Sequence, residues 1–436
     1  MLTTGGIGQT GTTMSTPSDQ SSPAGPSTPV STTSLALPHG PELELRRFPV
    51  DPRDRLRAWD AADEYLLHHL AETADAAQPL ASAPVVLGDR WGALATALAT
   101  DLAADLATDL ATDPAVRPVQ ITDSYLAQRA TEANLARNGL AADAVRLLSS
   151  RETPPERVDL LLVRVPKSLA LLEDQLLRLA PAVHPGTVVV GTGMVTEIHT
   201  STLQLFERIL GPTRTSLARR KARLIFCTPD PEVLAGRPEN PWPRRYPLPP
   251  ETGLLAGRTV TNHAGIFSAE RLDIGTRFFL EHLPTSEGAG RVVDLGCGNG
   301  ILGLAAGLAN PDAELTFVDE SFGAVASAEE TFRANVPEAT ARRARFLAGD
   351  GAGDLAPGSV DLVLNNPPFH SYQAATDATA HRMFAGARRA LRTGGELWVV
   401  GNRHLGYHVR LRRIFGNCRT VAGNPKFVIL RAVKNG

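Results

Sequence analysis

The sequence predicts an α/β protein made of two tandem domains, each a mostly parallel twisted sheet with helices on both faces. Three observations carry this expectation. Short apolar runs alternate with stretches of 3.6-residue periodicity, the rhythm of strand–helix–strand units. The alternation occurs twice, in the same order. A proline-dense stretch, "PDPEVLAGRPENPWPRRYPLPPETG" (229–253), stands between the two runs.

The chain has 436 residues, long for a single core, in keeping with two domains. Residues 1–40 are rich in Ser, Thr, Pro and Gly and bury too little apolar surface to offset their ordering entropy. They are expected to be disordered, and Met14 offers an alternative start. The first domain, expected over 41–235, runs through "APVVLGDRWGALATALA", "VQITDSYLAQRATEANLARNGL", "VDLLLVRVPKSLALLEDQLLRL", "GTVVVGTG" and "ARLIFCT". It carries an insert, "ATDLAADLATDLATD", whose Ala/Leu rhythm suggests an extended helix at the surface. Residues 236–260 read as a linker. The second domain, 261–436, repeats the pattern as "RVVDLGCGNGILGLAAGLA", "LTFVDESFGAVASAEETFRANV", "VDLVLNNPPFHSYQAATDA", "GGELWVVGN" and "KFVILRAV". The matching order implies an internal duplication.

Composition narrows the function classes. With 44 basic and 46 acidic side chains the net charge is -2, so any nucleic-acid partner must be met by local basic patches. Cys227, Cys297 and Cys418 form neither a disulfide framework nor a CxxC metal pattern, and no metal site is expected. No apolar run reaches the length of a membrane span, and the N-terminus lacks a secretory pattern. A cytoplasmic location is expected.

The second copy carries the chemistry. In "VVDLGCGNGILG" a strand runs into Gly296, Gly298 and Gly300 and then into a helix, which lets backbone N–H groups approach a ligand. The G-x-G-x-x-G spacing of Gly298, Gly300 and Gly303 is a weak dinucleotide signal by itself. Asp294 argues against a pyrophosphate and suits a ligand bearing an ammonium group, such as S-adenosylmethionine. Asp319 ends the next strand, where a carboxylate can accept ribose hydroxyls. Asp350, in "FLAGDG", could accept from an adenine amine. Phe267 and Thr276 could line the same pocket from outside the sheet. Cys297 reads as a packing residue.

"DLVLNNPPFH" (361–370) is a strand that ends in an amide, two prolines and an aromatic. Proline cannot continue a ladder, and ligands bind beyond the carboxyl ends of strands in such sheets. The Asn366 side-chain oxygen and the Pro367 carbonyl can accept the two N–H bonds of an exocyclic base amine. That steers the nitrogen toward pyramidal geometry, with acceptors preorganised by the prolines. Phe369 offers a face for a flipped-out base. His370 reads as a loop residue.

With these motifs in place, the chain resembles the bacterial ribosomal RNA guanine-N2 methyltransferase family, most closely its large-subunit (23S) branch. "DSYLAQRATEANLARNGL", "HTSTLQLFERILGP", "FSAERLDIGTRFF", "VDLGCGNG", "FVDES", "NNPPFH" and "KFVILRAVK" carry the resemblance, which covers nearly everything after residue 40. It implies two Rossmann-like methyltransferase-fold domains, the N-terminal one degenerate. It implies S-adenosylmethionine as donor and a guanine amine of ribosomal RNA as acceptor. By matching motif, Asp294, Gly296, Gly298 and Asp319 would bind the cofactor, and Asn366, Pro367 and Phe369 would hold the base. The chain departs from the family in its head, its Ala/Leu insert and "AGDGAGD".

The first copy has "VVLGDRWGALA" and "VRVPK" where the glycine and NNPPF motifs would stand. It is expected to have lost both cofactor glycines and the acceptor amide, and to position RNA. Arg219, Arg220 and Lys221, with Arg214 and Arg223, form one candidate phosphate cluster. Arg403 and Arg410, with Arg412 and Arg413, form another. The competing readings are a small-subunit (16S) guanine, adenine N6, a glutamine amide of a release factor, and a non-enzymatic assembly factor.

Overall fold

The computed structural model describes residues 33–51, 54–73, 83–107, 116–284, 290–368 and 373–436, without the side chains of 105–107 and 373–377. The expectations for residues 1–32, for the end of the Ala/Leu insert and for Phe369 and His370 lie outside the described residues.

The chain enters through a hairpin, β1 (Ser34–Ala36) and β2 (Glu42–Glu44), followed by α1 (Ala61–Thr73). Thus part of the stretch expected to be disordered is structured: Leu35 and Leu37 are buried in the first half's core. Then come β3 (Val85–Leu87), α2 (Ala93–Ala107), β4 (Val119–Thr122), α3 (Tyr125–Arg137), β5 (Arg146–Ser149) and β6 (Val158–Arg164). The half closes with α4 (Leu169–Leu179), β7 (Val183–Met194), α5 (Thr200–Ile209), β8 (Thr213–Thr215), β9 (Ala222–Cys227) and the short α6 (Pro231–Ala235).

A second hairpin, β10 (Arg244–Pro247) and β11 (Thr259–Asn262), leads to α7 (Ile274–Leu280). Most of it lies within residues expected to be a linker. It is ordered because Leu248, Leu255 and Val260 enter the second half's core and Thr261 N donates to Thr331 Oγ1 at 3.0 Å. The second half continues with β12 (Arg291–Leu295), α8 (Ile301–Ala309), β13 (Glu314–Asp319), α9 (Phe322–Asn335), α10 (Glu338–Ala341), β14 (Ala344–Ala348) and β15 (Val360–Asn365). It ends with α11 (Gln373–Ala390), β16 (Leu391–Asn402), α12 (Tyr407–Phe415), β17 (Arg419–Gly423) and β18 (Phe427–Val433).

The two seven-stranded sheets share one topology. Their orders are β5-β4-β3-β6-β7-β9-β8 and β14-β13-β12-β15-β16-β18-β17. The first five strands of each are parallel, the sixth (β9, β18) runs against them, and the edge strand (β8, β17) pairs antiparallel with the sixth. Helices cover both faces, with separate apolar clusters on either side of each sheet. The strand order reverses where β12 lies between β13 and β15, and the crevice at their carboxyl ends is the ligand position in this architecture.

Register aligns the copies residue by residue. Val85 and Leu87 pair with Leu161 and Val163, as Val293 and Leu295 pair with Val363 and Asn365. Gly88 therefore corresponds to Gly296, Arg90 to Gly298, Gly92 to Gly300, Thr122 to Asp319 and Arg164 to Asn366.

Candidate active site

Asp294 is buried at the end of β12. Its Oδ2 accepts from Gly303 N at 2.8 Å, and its Oδ1 has no partner among the described residues. Burial pushes its carboxyl up to about 8. A buried acceptor without a donor is costly, and such exceptions call for a reason. An ammonium group would satisfy it.

Of the glycines in this motif, two are required by packing, Gly300 at the loop's end and Gly303 within α8. A Cβ on Gly300 (φ +78°) would lie 2.9 Å from Ala328 of α9, and one on Gly303 would lie 2.2 Å from the Phe317 ring. Gly298 (φ +53°) differs, because a Cβ there would face open space. Its N–H donates to Asp319 Oδ2 at 2.9 Å, while Ser321 N donates to Oδ1 at 3.1 Å. Each carboxylate oxygen keeps a lone pair for a hydroxyl donor. Burial raises the Asp319 carboxyl. The Cys297 thiol is buried and pushed well above its usual range, which leaves no thiolate nucleophile at neutral pH.

β15 stops at Asn365, whose Nδ2 donates to Leu295 O at 2.6 Å and ties the strand end to β12. Asn366 Nδ2 donates to Thr276 Oγ1 at 3.0 Å, and Thr276 Oγ1 donates to Asp273 Oδ2 at 3.4 Å. The carboxylate only accepts, so it sets the direction of the relay. The amide nitrogen of Asn366 is engaged and its oxygen, buried and without a partner among the described residues, is left as an acceptor. Gly296 stands near the same strand end: a Cβ there would be 3.8 Å from Asn365 Nδ2 and 3.9 Å from the Asn366 backbone carbonyl oxygen. Pro367 is buried and Pro368 exposed.

Thr276, expected to line the cofactor pocket, is hydrogen-bonded to Asn366. Asp273, not singled out in the sequence, anchors the relay and also caps α7 through Thr276 N at 2.9 Å. Asp350 follows β14 and lies 3.5 Å from Arg382 Nε. Phe267 sits on the loop before α7 and is 51% exposed.

The basic clusters are separate features. Arg219, Arg220 and Lys221 occupy the hairpin turn between β8 and β9, where Arg219 and Ala222 exchange both backbone hydrogen bonds. Arg220 (φ 48°) and Lys221 (φ 64°) are left-handed, a geometry usually given to Asn-Gly. Arg220 is 2.9 Å from Glu64 and Arg219 lies over the Tyr65 ring, yet both stay exposed. Arg403 donates to Asn424 O at 3.2 Å, and Arg410 lies over the Tyr407 ring.

The first copy holds a closed counterpart of this site. Its sequence-based description needs one correction: Gly88 and Gly92 survive with φ of 75° and 76°, matching Gly296 and Gly300. What has changed is the chemistry around them. Val86 stands in the place of Asp294, Thr122 in that of Asp319, and Arg90 in that of Gly298. Arg164, in the place of Asn366, is fully buried, with Nη2 2.6 Å from Asp60, Nε 3.2 Å from Asp63 and Nη1 2.9 Å from Glu197. Asp60 and Asp63 match Asp273 and Thr276. The relay of the second copy has become an ion cluster that fills the first.

Known proteins match both halves. The RLMG N-terminal domain family matches residues 33–231 and the methyltransferase small domain family matches 257–431. A ribosomal RNA large subunit methyltransferase G from Streptomyces griseus is 71% identical over 391 residues, 90% of this chain and 97% of the relative. One from Aeromonas salmonicida is 47% identical over 394 residues, 90% of this chain and 97% of the relative. The chain belongs to the ribosomal RNA large subunit methyltransferase G family. Membership makes it an enzyme with S-adenosylmethionine as methyl donor, and the unpartnered Asp294 Oδ1 and the open space over Gly298 fit that donor. A solved structure of a T. thermophilus 16S rRNA N2 methyltransferase in complex with AdoMet and guanosine shares the fold, with a TM-score of 0.65, 22% identity, and coverage of 93% of this chain and 99% of that one. Among the described residues no helix of the family member is long and apolar enough to cross a membrane, and no His/Cys/Asp/Glu group could hold a metal.

Proposed function

We infer that the protein methylates the exocyclic N2 amine of a guanine in large-subunit (23S) ribosomal RNA. The observation that carries this is the buried, unpartnered Asn366 Oδ1, aimed by Thr276 and Asp273 beside the glycine loop. S-adenosylmethionine, when bound, supplies an electrophilic methyl group. Asn366 Oδ1 and the Pro367 carbonyl hold the two N–H bonds of the amine and draw its lone pair out of conjugation with the ring. The Asn366 acceptor is held by Thr276 before the base arrives, so little reorganisation is needed there. No strong base is required, because an alkylated amine loses its proton readily. Asp294 holds the donor's ammonium, Asp319 its ribose, and Asp350 faces its adenine. Phe369 stacks on the base. Arg219, Arg220, Lys221, Arg403 and Arg410 supply phosphate contacts. A ribosomal RNA substrate places the work in the cytoplasm.

Relatives named for the large subunit support 23S over 16S RNA. The test is transfer of labelled methyl groups from the donor into ribosomal RNA of a strain lacking the enzyme. Label in N2-methylguanosine of the large RNA is expected. Label confined to the small RNA, to N6-methyladenosine or to a release factor would replace this reading with a competitor.

The Asp294 carboxyl gives a pH signature. Its folded value, about 8 against 3.8, leaves it mostly protonated at pH 7 without ligand. A paired ammonium favours the carboxylate. Cofactor binding at pH 7 should therefore release about one proton, and affinity should rise from pH 6 to 8. Calorimetry in buffers of different ionisation enthalpy reads this directly, and a binding heat independent of buffer would remove the ammonium role. The same shift has a stability sign: the unfolded chain binds fewer protons between 3.8 and about 8, so this group's contribution to stability falls as pH rises through that window.

A further inference from the structure

The degenerate half retains a near-symmetric grip on the catalytic half at the cofactor site. Ser124 and Ser321 form an antiparallel bridge. Tyr125 N donates to Glu320 O at 2.8 Å, and Phe322 N donates to Asp123 O at 2.9 Å. Ser124 Oγ donates to Glu320 Oε2 at 2.6 Å, and Ser321 Oγ donates to Asp123 Oδ2 at 2.5 Å. The Tyr125 and Phe322 rings meet edge to face at 6.5 Å. By register, Thr122 to Tyr125 match Asp319 to Phe322, and the last three of these positions in each copy clasp one another, the first standing at the strand end beside them. The symmetry breaks at the first of them: Thr122 in the closed copy, Asp319 in the open one.

We propose that this clasp sets the cofactor's ribose carboxylate, with Asp123 of the degenerate half as a positioning residue. The path is short and continuous. Asp123 Oδ1 accepts from Ser150 Oγ at 2.6 Å within its own half and from Gly323 N at 2.8 Å across the interface. Its Oδ2 fixes the Ser321 hydroxyl, which also accepts from Ala324 N at 3.0 Å as the cap of α9. Ser321 N holds Asp319 Oδ1, and Asp319 Oδ2 holds Gly298 N. One rigid chain of hydrogen bonds thus runs from the β4–α3 corner of the first half to the open glycine of the second. Burial raises the Asp123 carboxyl, and three donors oppose that rise. The degenerate half is then part of the cofactor site, although its own pocket is closed. The proposal rests on the assignment of Asp319 to the ribose.

The experiment uses the full-length protein with S-adenosylmethionine and large ribosomal RNA. Asp123→Ala should raise the KM for S-adenosylmethionine about tenfold, while kcat at saturating donor and the KM for RNA change less than twofold. Asp319→Ala is measured beside it. If Asp319→Ala leaves donor affinity intact, the ribose assignment fails. If Asp319→Ala weakens the donor and Asp123→Ala does not, the clasp proposal is overturned. Wild-type hydrogen exchange gives a second reading that needs no variant. Donor binding should slow exchange of the Tyr125 amide together with those of Ser321 and Phe322. Protection limited to the second half would overturn the proposal.

Discussion

Asn366→Ala lowers kcat by about 10²–10³ and leaves the donor dissociation constant within about threefold of wild type. The asymmetry follows from where the side chain points. Its Nδ2 is committed to Thr276, and its Oδ1 is buried with no donor to accept from among the described residues. Alanine removes an acceptor made for the amine and touches none of the groups assigned to the donor. Methyl transfer and donor binding, measured on the same preparation, separate the two effects. An equal loss of both would mean that Asn366 shapes the donor pocket instead.

Arg164→Ala destabilises the first half by about 3–5 kcal/mol at pH 8. The guanidinium is fully buried among Asp60, Asp63 and Glu197, and removing it leaves the buried Asp63 without its cation and only Arg90 beside Asp60 and Glu197. Burial already lifts Asp63 to about 7, while Arg164 and Arg90 hold Glu197 down to about 2 against the opposing effect of its burial. Without the arginine these groups take up protons more readily, and a protonated carboxyl needs no counter-ion. The loss should therefore be smaller at pH 5.5 than at pH 8. Urea unfolding at the two values reads both magnitude and sign. A loss below about 1 kcal/mol at pH 8 would show that the cluster is not what fills the closed site.

Much of the architecture was legible in the chain. The repeated strings "VDLLLVR" and "VDLVLN" became β6 and β15 at equivalent places in two identically ordered sheets. Asp294, the loop glycines, Asp319 and Asn366 do converge at the carboxyl ends of β12, β13 and β15, because each motif was read as a strand end. What sequence could not give were the partners of those motifs. Thr276 lies 90 residues from Asn366 in the chain, and Ser321 lies 198 from Asp123. Nothing local in "DIGT" announces that its threonine orients a distant amide. Arg164 read as a lost motif, although the same arginine is the ion that closes the pocket. The matching "TDSY" and "DESF" were visible as parts of a duplication, but only the fold shows that they face each other. Arg220 and Lys221 were read by charge alone, and their left-handed turn was hidden because neither residue is a usual one for it.

In the proposed function Asn366 offers its amide oxygen to a guanine amine next to the donor. A structure of the protein with a non-reactive S-adenosylmethionine analogue and guanosine tests it most directly. Guanine N2 is expected about 3 Å from Asn366 Oδ1, with Nδ2 still on Thr276. A base held by other groups, with Asn366 Oδ1 turned away from its amine, would contradict it.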